Sequence, residues 1–273
     1  MKTKIKGIYI PSKAEIVEIL DMTPVIKLFK IKPKRQFRYK PGQFVMVSLW
    51  GVGEVPISIT STHGLHEYIE LCIRRVGHVT SATNLLKPSA KIGIRGPFGN
   101  TFPMKNARGK DVLFVAGGLG IVPLRPLITS IINEKNNFKR IALIYGSCNP
   151  TEILFKDDIN IWQKKGMHIT LTVERKDKGW KGNVGLVTEY LKRPKLSFRN
   201  AYAFICGPPI MIKATSNGLS LIGMHEDNIF TTLEAHMKCG VGKCGHCYVD
   251  GKYICTDGPI FSYAEIKKCS LFD

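Results

Sequence analysis

No run of about 18 apolar residues occurs anywhere in this 273-residue chain, so nothing in it is suited to cross a bilayer as a helix. The opening Met1-Lys2-Thr3-Lys4-Ile5-Lys6 leads into an alternating pattern and lacks the apolar core of a secretory signal, which predicts a cytoplasmic protein. Acidic residues are scarce: 21 Asp and Glu stand against 40 Lys and Arg, a net charge of +19. Such a balance suits nucleic acid or an acidic surface. The basic residues, however, are spread along the whole chain, with no aromatic-interleaved stripe, helix-turn-helix pattern or zinc-finger spacing, so nucleic acid is not the expected partner. A lysine-rich composition accounts for part of the excess, and phosphate-bearing ligands and an acidic partner protein suit the rest. Internal repeats and low-complexity linkers are also missing. At 44% hydrophobic, the chain has enough apolar material for two ordinary domains and an appendage.

What is present begins with Cys239-Gly240-Val241-Gly242-Lys243-Cys244-Gly245-His246-Cys247, followed by Cys255. Four thiols at C-x4-C-x2-C-x7-C converge on one inorganic centre. The first three carry the plant-type [2Fe-2S] spacing, in which one compact loop wraps the cluster. Gly240, Gly242 and Gly245 allow positive φ and let backbone N–H groups turn toward the sulfurs. The same four thiols also suit a structural zinc ion, although zinc sites usually pair two short hooks across a longer stretch. A disulfide framework is disfavoured by the reducing compartment that the N-terminus implies. Cys72, Cys148, Cys206 and Cys269 are isolated in sequence and read as small buried hydrophobes.

Residues 1–103 read as an antiparallel β-barrel. Short β-branched runs occur at Ile5–Ile10, Ala14–Leu20, Val25–Ile31, Phe44–Leu49, Ile57–Thr62, Tyr68–Arg74 and Lys91–Arg95, with one helix at Thr80–Lys87 and a closing turn at Gly96-Pro97-Phe98-Gly99-Asn100. Residues 104–233 change to alternating strands and helices. Strands are expected at Val112–Ala116, Arg140–Tyr145, His168–Val173, Tyr202–Cys206 and Ile229–Leu233, and helices at Pro123–Ile132, Asp157–Lys165 and Pro209–Leu219. This pattern predicts a doubly wound parallel sheet with its ligand at the carboxyl ends of the strands. Residues 234–273 form the third expected piece, too small for a core of its own and held by the metal. Gly117-Gly118-Leu119-Gly120 follows a buried strand and opens a helix, which suits either a phosphate approaching backbone amides or tight helix packing. Cys206-Gly207-Pro208-Pro209 repeats the arrangement, so the two turns together predict a cofactor cleft. Ser58 and Thr80, taken alone, read as local caps.

Taken in order, Gly42-Gln43-Phe44, Pro56-Ile57-Ser58-Ile59, Gly77-x-x-Thr80, Gly96-Pro97-Phe98-Gly99, Ala116-Gly117-Gly118-Leu119-Gly120, Tyr145-Gly146, Cys206-Gly207-Pro208-Pro209 and the cysteine loop resemble the ferredoxin-NADP reductase superfamily. The resemblance covers nearly the whole chain. It is similar above all to the iron-sulfur flavoprotein subunits, which include the dihydroorotate dehydrogenase electron-transfer subunit, the sulfhydrogenase gamma subunit and the flavoprotein subunit of anaerobic sulfite reductase. The resemblance implies FAD on the barrel, with Pro56, Ile57, Ser58 and Ile59 beneath the flavin and Ser58 as a hydrogen-bond donor. It implies Ile73 and Arg74 along the flavin or its phosphates, and Gly77, Val79 and Thr80 at the pyrophosphate. The family motif usually begins with Arg where this chain has Val55 after Glu54, so Arg74 or a nearby lysine is expected to supply the charge. In the α/β half it implies Gly117, Gly118, Leu119 and Gly120 at the pyrophosphate of NAD(P)H and Gly146 at the adenosine side. Cys206, Gly207 and Pro208 fall at the nicotinamide, and Cys239, Cys244, Cys247 and Cys255 ligate a [2Fe-2S] cluster.

The implied activity is NAD(P)H oxidation, with electrons passing through FAD and the cluster to a partner and no acid-base or nucleophilic residue required. NADH is favoured over NADPH as donor; Arg175 and Lys176 suit either a solvated turn or a 2′-phosphate. The short gap from Cys247 to Cys255 and the tail after it look like the flavoprotein subunit of anaerobic sulfite reductase. That implies an iron-sulfur electron-transfer subunit and a siroheme sulfite reductase subunit as partners in a hetero-oligomer. The alternatives are the diaphorase (gamma) subunit of a sulfhydrogenase or nickel-iron hydrogenase, and a non-enzymatic, zinc-stabilised module.

Overall fold

The computed structural model of the chain describes residues 7–36, 38–62 and 67–272, which fall into two compact units. The first joins the residues up to Thr101 with Glu234–Pro259, and the second joins Phe102–Leu233 with the residues from Ile260 onward. The C-terminal segment therefore divides between the units.

In the first unit the chain forms β1 (Ser12–Thr23), β2 (Ile26–Pro33), β3 (Phe44–Leu49), β4 (Gly53–Ser58), β5 (Ile69–Arg74), α1 (His78–Asn84) and β6 (Lys91–Phe98). The strands lie in the order β4-β3-β6-β1-β2-β5, every neighbour antiparallel. A bridge between Ile59 and Leu71, with the Thr60 amide donating to the Glu70 carbonyl at 3.0 Å, joins the first strand to the last. The sheet thus closes into the expected barrel and leaves few free edges. Inward-facing Ile16, Phe29, Ile31, Val45, Val47 and Leu71 fill it.

Two expected strands need correction. Gly7–Ile10 is a turn, its Ile10 amide donating to the Gly7 carbonyl at 2.8 Å. Pro11 follows at once, and Ile8, Tyr9 and Ile10 are at least half exposed, with no sheet face to cover them. Ile5 and Lys6 of that expected strand lie outside the described residues. The strand expected at Ile57–Thr62 instead runs from Gly53 to Ser58. Its start is disguised by the charge of Glu54, whose partner lies on another strand.

The second unit contains β7 (Asp111–Gly117), α2 (Ile121–Asn133), β8 (Ile141–Ser147), α3 (Lys156–Lys164), β9 (His168–Val173), β10 (Asn183–Val184), β11 (Ala201–Cys206), α4 (Pro209–Leu221) and β12 (Ile229–Thr232). After these the chain makes the hairpin β13 (Tyr248–Val249) and β14 (Lys252–Tyr253) in the first unit. It then adds β15 (Ile260–Ser262) and α5 (Tyr263–Ile266) to the second. The sheet order is β10-β9-β8-β7-β11-β12-β15, parallel except for the edge pair β12–β15. β7 is buried at every position, which is why it reads as one apolar run and not as an alternation. Phe114, Phe204 and Phe230 stack across three adjacent strands with centroids 5.6 and 6.0 Å apart. The strand order reverses between β7 and β11, so their carboxyl ends flank the crevice where open α/β sheets take their ligands. No helix among the described residues is long and apolar enough to cross a membrane.

Asp111 secures the opposite end of β7. Its carboxylate is 1% exposed, pairs with Arg140 at 2.7 Å and accepts from the Ser197 amide at 2.6 Å. Burial alone would raise its pKa, but the Arg140 and Ser197 hydrogen bonds outweigh it and hold the carboxyl below the usual range. A depressed folded-state pKa contributes stability above the unfolded value, and this is lost as pH falls through the folded value. Asp111→Asn is therefore expected to lower the unfolding free energy at neutral pH by about 2–3 kcal/mol, the scale of hydrogen bonds to a charged group. The acid side of the stability profile should flatten, as measured by urea unfolding between pH 3 and 7.

Candidate cofactor and cluster sites

The cysteine loop is built by glycine. Gly240, Gly242 and Gly245 all take positive φ, at 74°, 69° and 79°. At Gly240 a Cβ would sit 3.1 Å from the Phe98 ring and 3.3 Å from Met46, so glycine lets the loop press onto β3 and β6. The backbone this frees is turned toward sulfur: the Val241 and Lys243 amides donate to Cys239 Sγ at 3.4 Å, and the Gly242 amide to Cys255 Sγ at 3.1 Å. The seven residues between Cys247 and Cys255 are the β13–β14 hairpin, turned at Asp250-Gly251, which carries Cys255 back beside Cys247.

The four thiols come together two by two. Cys239 hydrogen-bonds to Cys244, and Cys247 to Cys255. Among the described residues no three His, Cys, Asp or Glu side chains are grouped closely enough to hold one metal ion. Four thiols gathered on one glycine-rich loop and its hairpin supply the donor set of a two-iron centre, two thiolates to each metal atom. The pairs differ in environment. Cys244 is exposed, and backbone N–H groups, chiefly that of His246, bring its pKa down to about 7. Cys255 is buried, and burial together with Cys247 pushes it up to about 12. Cys269, expected to stand apart, is buried in the second unit, on α5's C-terminal side.

The loop rests on the barrel through a turn that sequence reasoning assigned only to closing it. The Asn100 amide donates to the Gly258 carbonyl at 2.6 Å, Asn100 Nδ2 to the Asp257 carbonyl at 3.0 Å, and Gln43 Nε2 to the Gly99 carbonyl at 3.1 Å. Arg95, just before that turn, is 5% exposed and donates to the carbonyl of Cys239 at 3.0 Å and to both carboxylate oxygens of Glu54. Neither residue was expected at the site. The available signal was an Arg directly preceding Gly96-Pro97-Phe98-Gly99, and an acid, Glu54, just before the Val55 that opens the Pro56-Ile57-Ser58 motif.

The residues expected at the flavin lie together on the barrel. Pro56, Ile57 and Ser58 are half-buried on β4, opposite Met46, Val45 and Phe44 of β3, with the buried Ile59 just beyond. On β5 the buried Ile73 is followed by the exposed Arg74. Gly77 precedes α1 and Val79 lies in its first turn. Thr80 Oγ1 accepts from the Val76 and Gly77 amides at 3.0 and 2.9 Å, so this hydroxyl organises the turn, as its reading as a local cap anticipated.

The two glycine turns of the second unit meet. Gly118–Gly120 form one 3₁₀ turn between β7 and α2. A Cβ on Gly120 would lie 2.0 Å from the Cys206 carbonyl oxygen, and one on Gly207 would lie 3.2 Å from the Gly117 amide nitrogen. Tyr145 braces the turn from below, its hydroxyl donating to the Gly118 carbonyl at 3.1 Å. Gly146 lies at the carboxyl end of β8, and Pro208 caps α4. All the expected dinucleotide residues thus sit at the carboxyl edge of the sheet. A separate concavity of about 880 Å³, lined by Lys135, Lys139, Lys165, Arg193 and Lys195, includes the first residues of β8 and β9 and so lies at the opposite edge.

Comparison with known proteins follows this division. Residues 11–103 match the FAD-binding domain family, residues 114–217 the oxidoreductase NAD-binding domain family, and residues 234–267 the iron-sulfur cluster binding domain of dihydroorotate dehydrogenase B. The chain is 40% identical to sulfhydrogenase 2 subunit gamma of Pyrococcus furiosus, over 92% of this chain and 94% of that protein. It is 33% identical to a probable dihydroorotate dehydrogenase B (NAD(+)) electron transfer subunit of the same organism, over 93% and 91%. Among solved structures, that of an NADH-dependent reduced ferredoxin-NADP oxidoreductase superposes with a TM-score of 0.76 at 25% identity, covering 92% of this chain and 88% of that one. With these four cysteines as the ligand set, Cys255→Ser should abolish the iron-sulfur absorbance of the purified chain, whereas Cys269→Ser should leave the spectrum unchanged.

Proposed function

Because this chain belongs to the ferredoxin-NADP reductase superfamily, in its branch of iron-sulfur flavoprotein electron-transfer subunits, we propose that it takes electron pairs from NAD(P)H and delivers single electrons to a partner protein. The chain is an oxidoreductase whose cofactors are FAD, a [2Fe-2S] cluster and NAD(P)H. Bound flavin takes electrons in pairs and releases them singly, and the cluster carries one at a time. The observation that carries the reading is that all four cluster cysteines lie on the compact unit that also holds the flavin-domain barrel.

The residues bind and orient, and none exchanges a proton with substrate. Pro56, Ile57 and Ser58 on β4, with Ile59 just beyond it, form the flavin's seat, and Ile73 and Arg74 lie beside it. Gly77, Val79 and Thr80 shape an amide-lined turn for its pyrophosphate. Gly117, Gly118, Leu119 and Gly120 receive the pyrophosphate of the nicotinamide dinucleotide, Gly146 borders its adenosine half, and Cys206, Gly207 and Pro208 orient the nicotinamide. Cys239, Cys244, Cys247 and Cys255 ligate the cluster. NADH is favoured as donor, and Arg175 and Lys176, both exposed after β9, are the cations that an NADPH 2′-phosphate would meet.

Two observations bear on the final acceptor. The compact hairpin joining Cys247 to Cys255 supports a cytoplasmic complex with an iron-sulfur subunit and a siroheme sulfite reductase subunit. The 40% identity over nearly the full length supports the gamma-subunit role in a sulfhydrogenase. Affinity purification from the native host separates them: siroheme and 4Fe-4S proteins sustain the first reading, a nickel-iron pair the second, and a dihydroorotate-oxidising flavoprotein overturns both.

The general reading is tested by anaerobic titration of the purified chain with NADH and NADPH in parallel. Flavin bands on a broader iron-sulfur envelope should bleach, and at lower concentrations of NADH than of NADPH. A colourless, zinc-containing protein would contradict the proposal.

A further inference from the structure

A buried arginine links the flavin barrel to the cluster loop. Arg95 is 5% exposed, and all three guanidinium nitrogens are used. Nε and Nη2 grip Glu54 in a two-toothed pair at 3.0 and 2.6 Å, while Nη1 donates to the Cys239 carbonyl at 3.0 Å and to the Ile8 carbonyl at 3.2 Å. Ser48 Oγ donates to the same Glu54 oxygen, Oε1, from the facing position on β3. The guanidinium carbon lies 5.6 Å from the centre of the Phe98 ring, the ring against which Gly240 packs. Three neighbouring strands, β4, β3 and β6, thereby converge on the backbone of one cysteine.

Desolvating a guanidinium and a carboxylate costs several kcal/mol per ion, and a well-packed apolar pair of similar volume is often no less stable. Stability alone therefore gives weak reason for an ion pair here. What the pair supplies is direction: arginine's planar fork is fixed by Glu54 on one side and points its remaining nitrogen at a carbonyl on the other, which a flexible lysine does not reproduce. Two opposite charges are also placed beside a centre whose potential depends on neighbouring charge and hydrogen bonding.

We propose that Arg95, aimed by Glu54, is a positioning residue that fixes Cys239 on the flavin barrel and sets the cluster's reduction potential. The proposal rests on the reading of Cys239 as a cluster ligand. Reduction adds one negative charge to the cluster. A missing cation at Arg95 makes that addition harder, and a missing anion at Glu54 makes it easier.

The test is an EPR-monitored redox titration of the full-length holoprotein as wild type, Arg95→Met, Arg95→Lys and Glu54→Gln, with iron and FAD content measured on each. The midpoint potential should shift negative in Arg95→Met and positive in Glu54→Gln. In Arg95→Lys it should stay close to wild type, with altered g-values from the displaced Cys239. General loosening of the loop would not produce shifts of opposite sign. Unchanged potentials, or shifts of the same sign in Arg95→Met and Glu54→Gln, would overturn the proposal. If Arg95→Met fails to fold, the nearly isosteric Glu54→Gln decides alone: a positive shift supports the proposal and no shift refutes it. A wild-type chain without any reduced-cluster signal would instead refute the underlying cofactor reading, so the two failures are distinguishable.

Discussion

The seat that the barrel provides for the cysteine loop is the constraint on which the rest of the molecule depends. Residues 234–259 are too few to build a core of their own, and such segments are held by metal and by neighbours. Here the neighbour is the end of β6 and the turn after it: Arg95 holds the Cys239 carbonyl, Asn100 holds Asp257 and Gly258, and Phe98 lies against Gly240. The first and last cysteines of the set are thus each tied, directly or through nearby residues, to one strand end. The chain leaves this unit after Thr101, builds the whole parallel sheet and returns at Glu234. A one-electron centre and the flavin barrel consequently belong to one compact body, although well over a hundred residues separate them in sequence.

Glycine sets the two chemical surfaces by opposite means. In the cysteine loop it permits positive φ, so that amides face sulfur and no side chain intervenes. In the α/β unit its contribution is the missing Cβ: at Gly120 no larger residue fits, because the Cys206 carbonyl already occupies the space. The two turns at the switch point of the sheet are therefore pressed together, and their amides lie at one edge for a phosphate-bearing ligand.

Much of this was legible in the sequence because the signals were local. The cysteine spacing named the cluster, and the continuous apolar runs of β7, β8 and β11 named a buried parallel sheet. The glycine turns fell directly at strand ends. What escaped was long-range pairing. Arg95 meets Glu54, Ile8 and Cys239 at sequence separations of 41, 87 and 144 residues, and no local pattern announces such partners. The same pairing hid the start of β4, since an unpartnered glutamate reads as a turn. β10, β13, β14 and β15, at two or three residues each, are too short to show a period and exist only through their neighbours.

The proposed electron-splitting role depends on Cys239, Cys244, Cys247 and Cys255 holding a two-iron centre on the flavin barrel. Metal analysis combined with low-temperature EPR of the chemically reduced chain tests it most directly. Two iron atoms per chain, little zinc, and one rhombic spin-half signal per chain that disappears on reoxidation are expected. One zinc per chain with no such signal would contradict it.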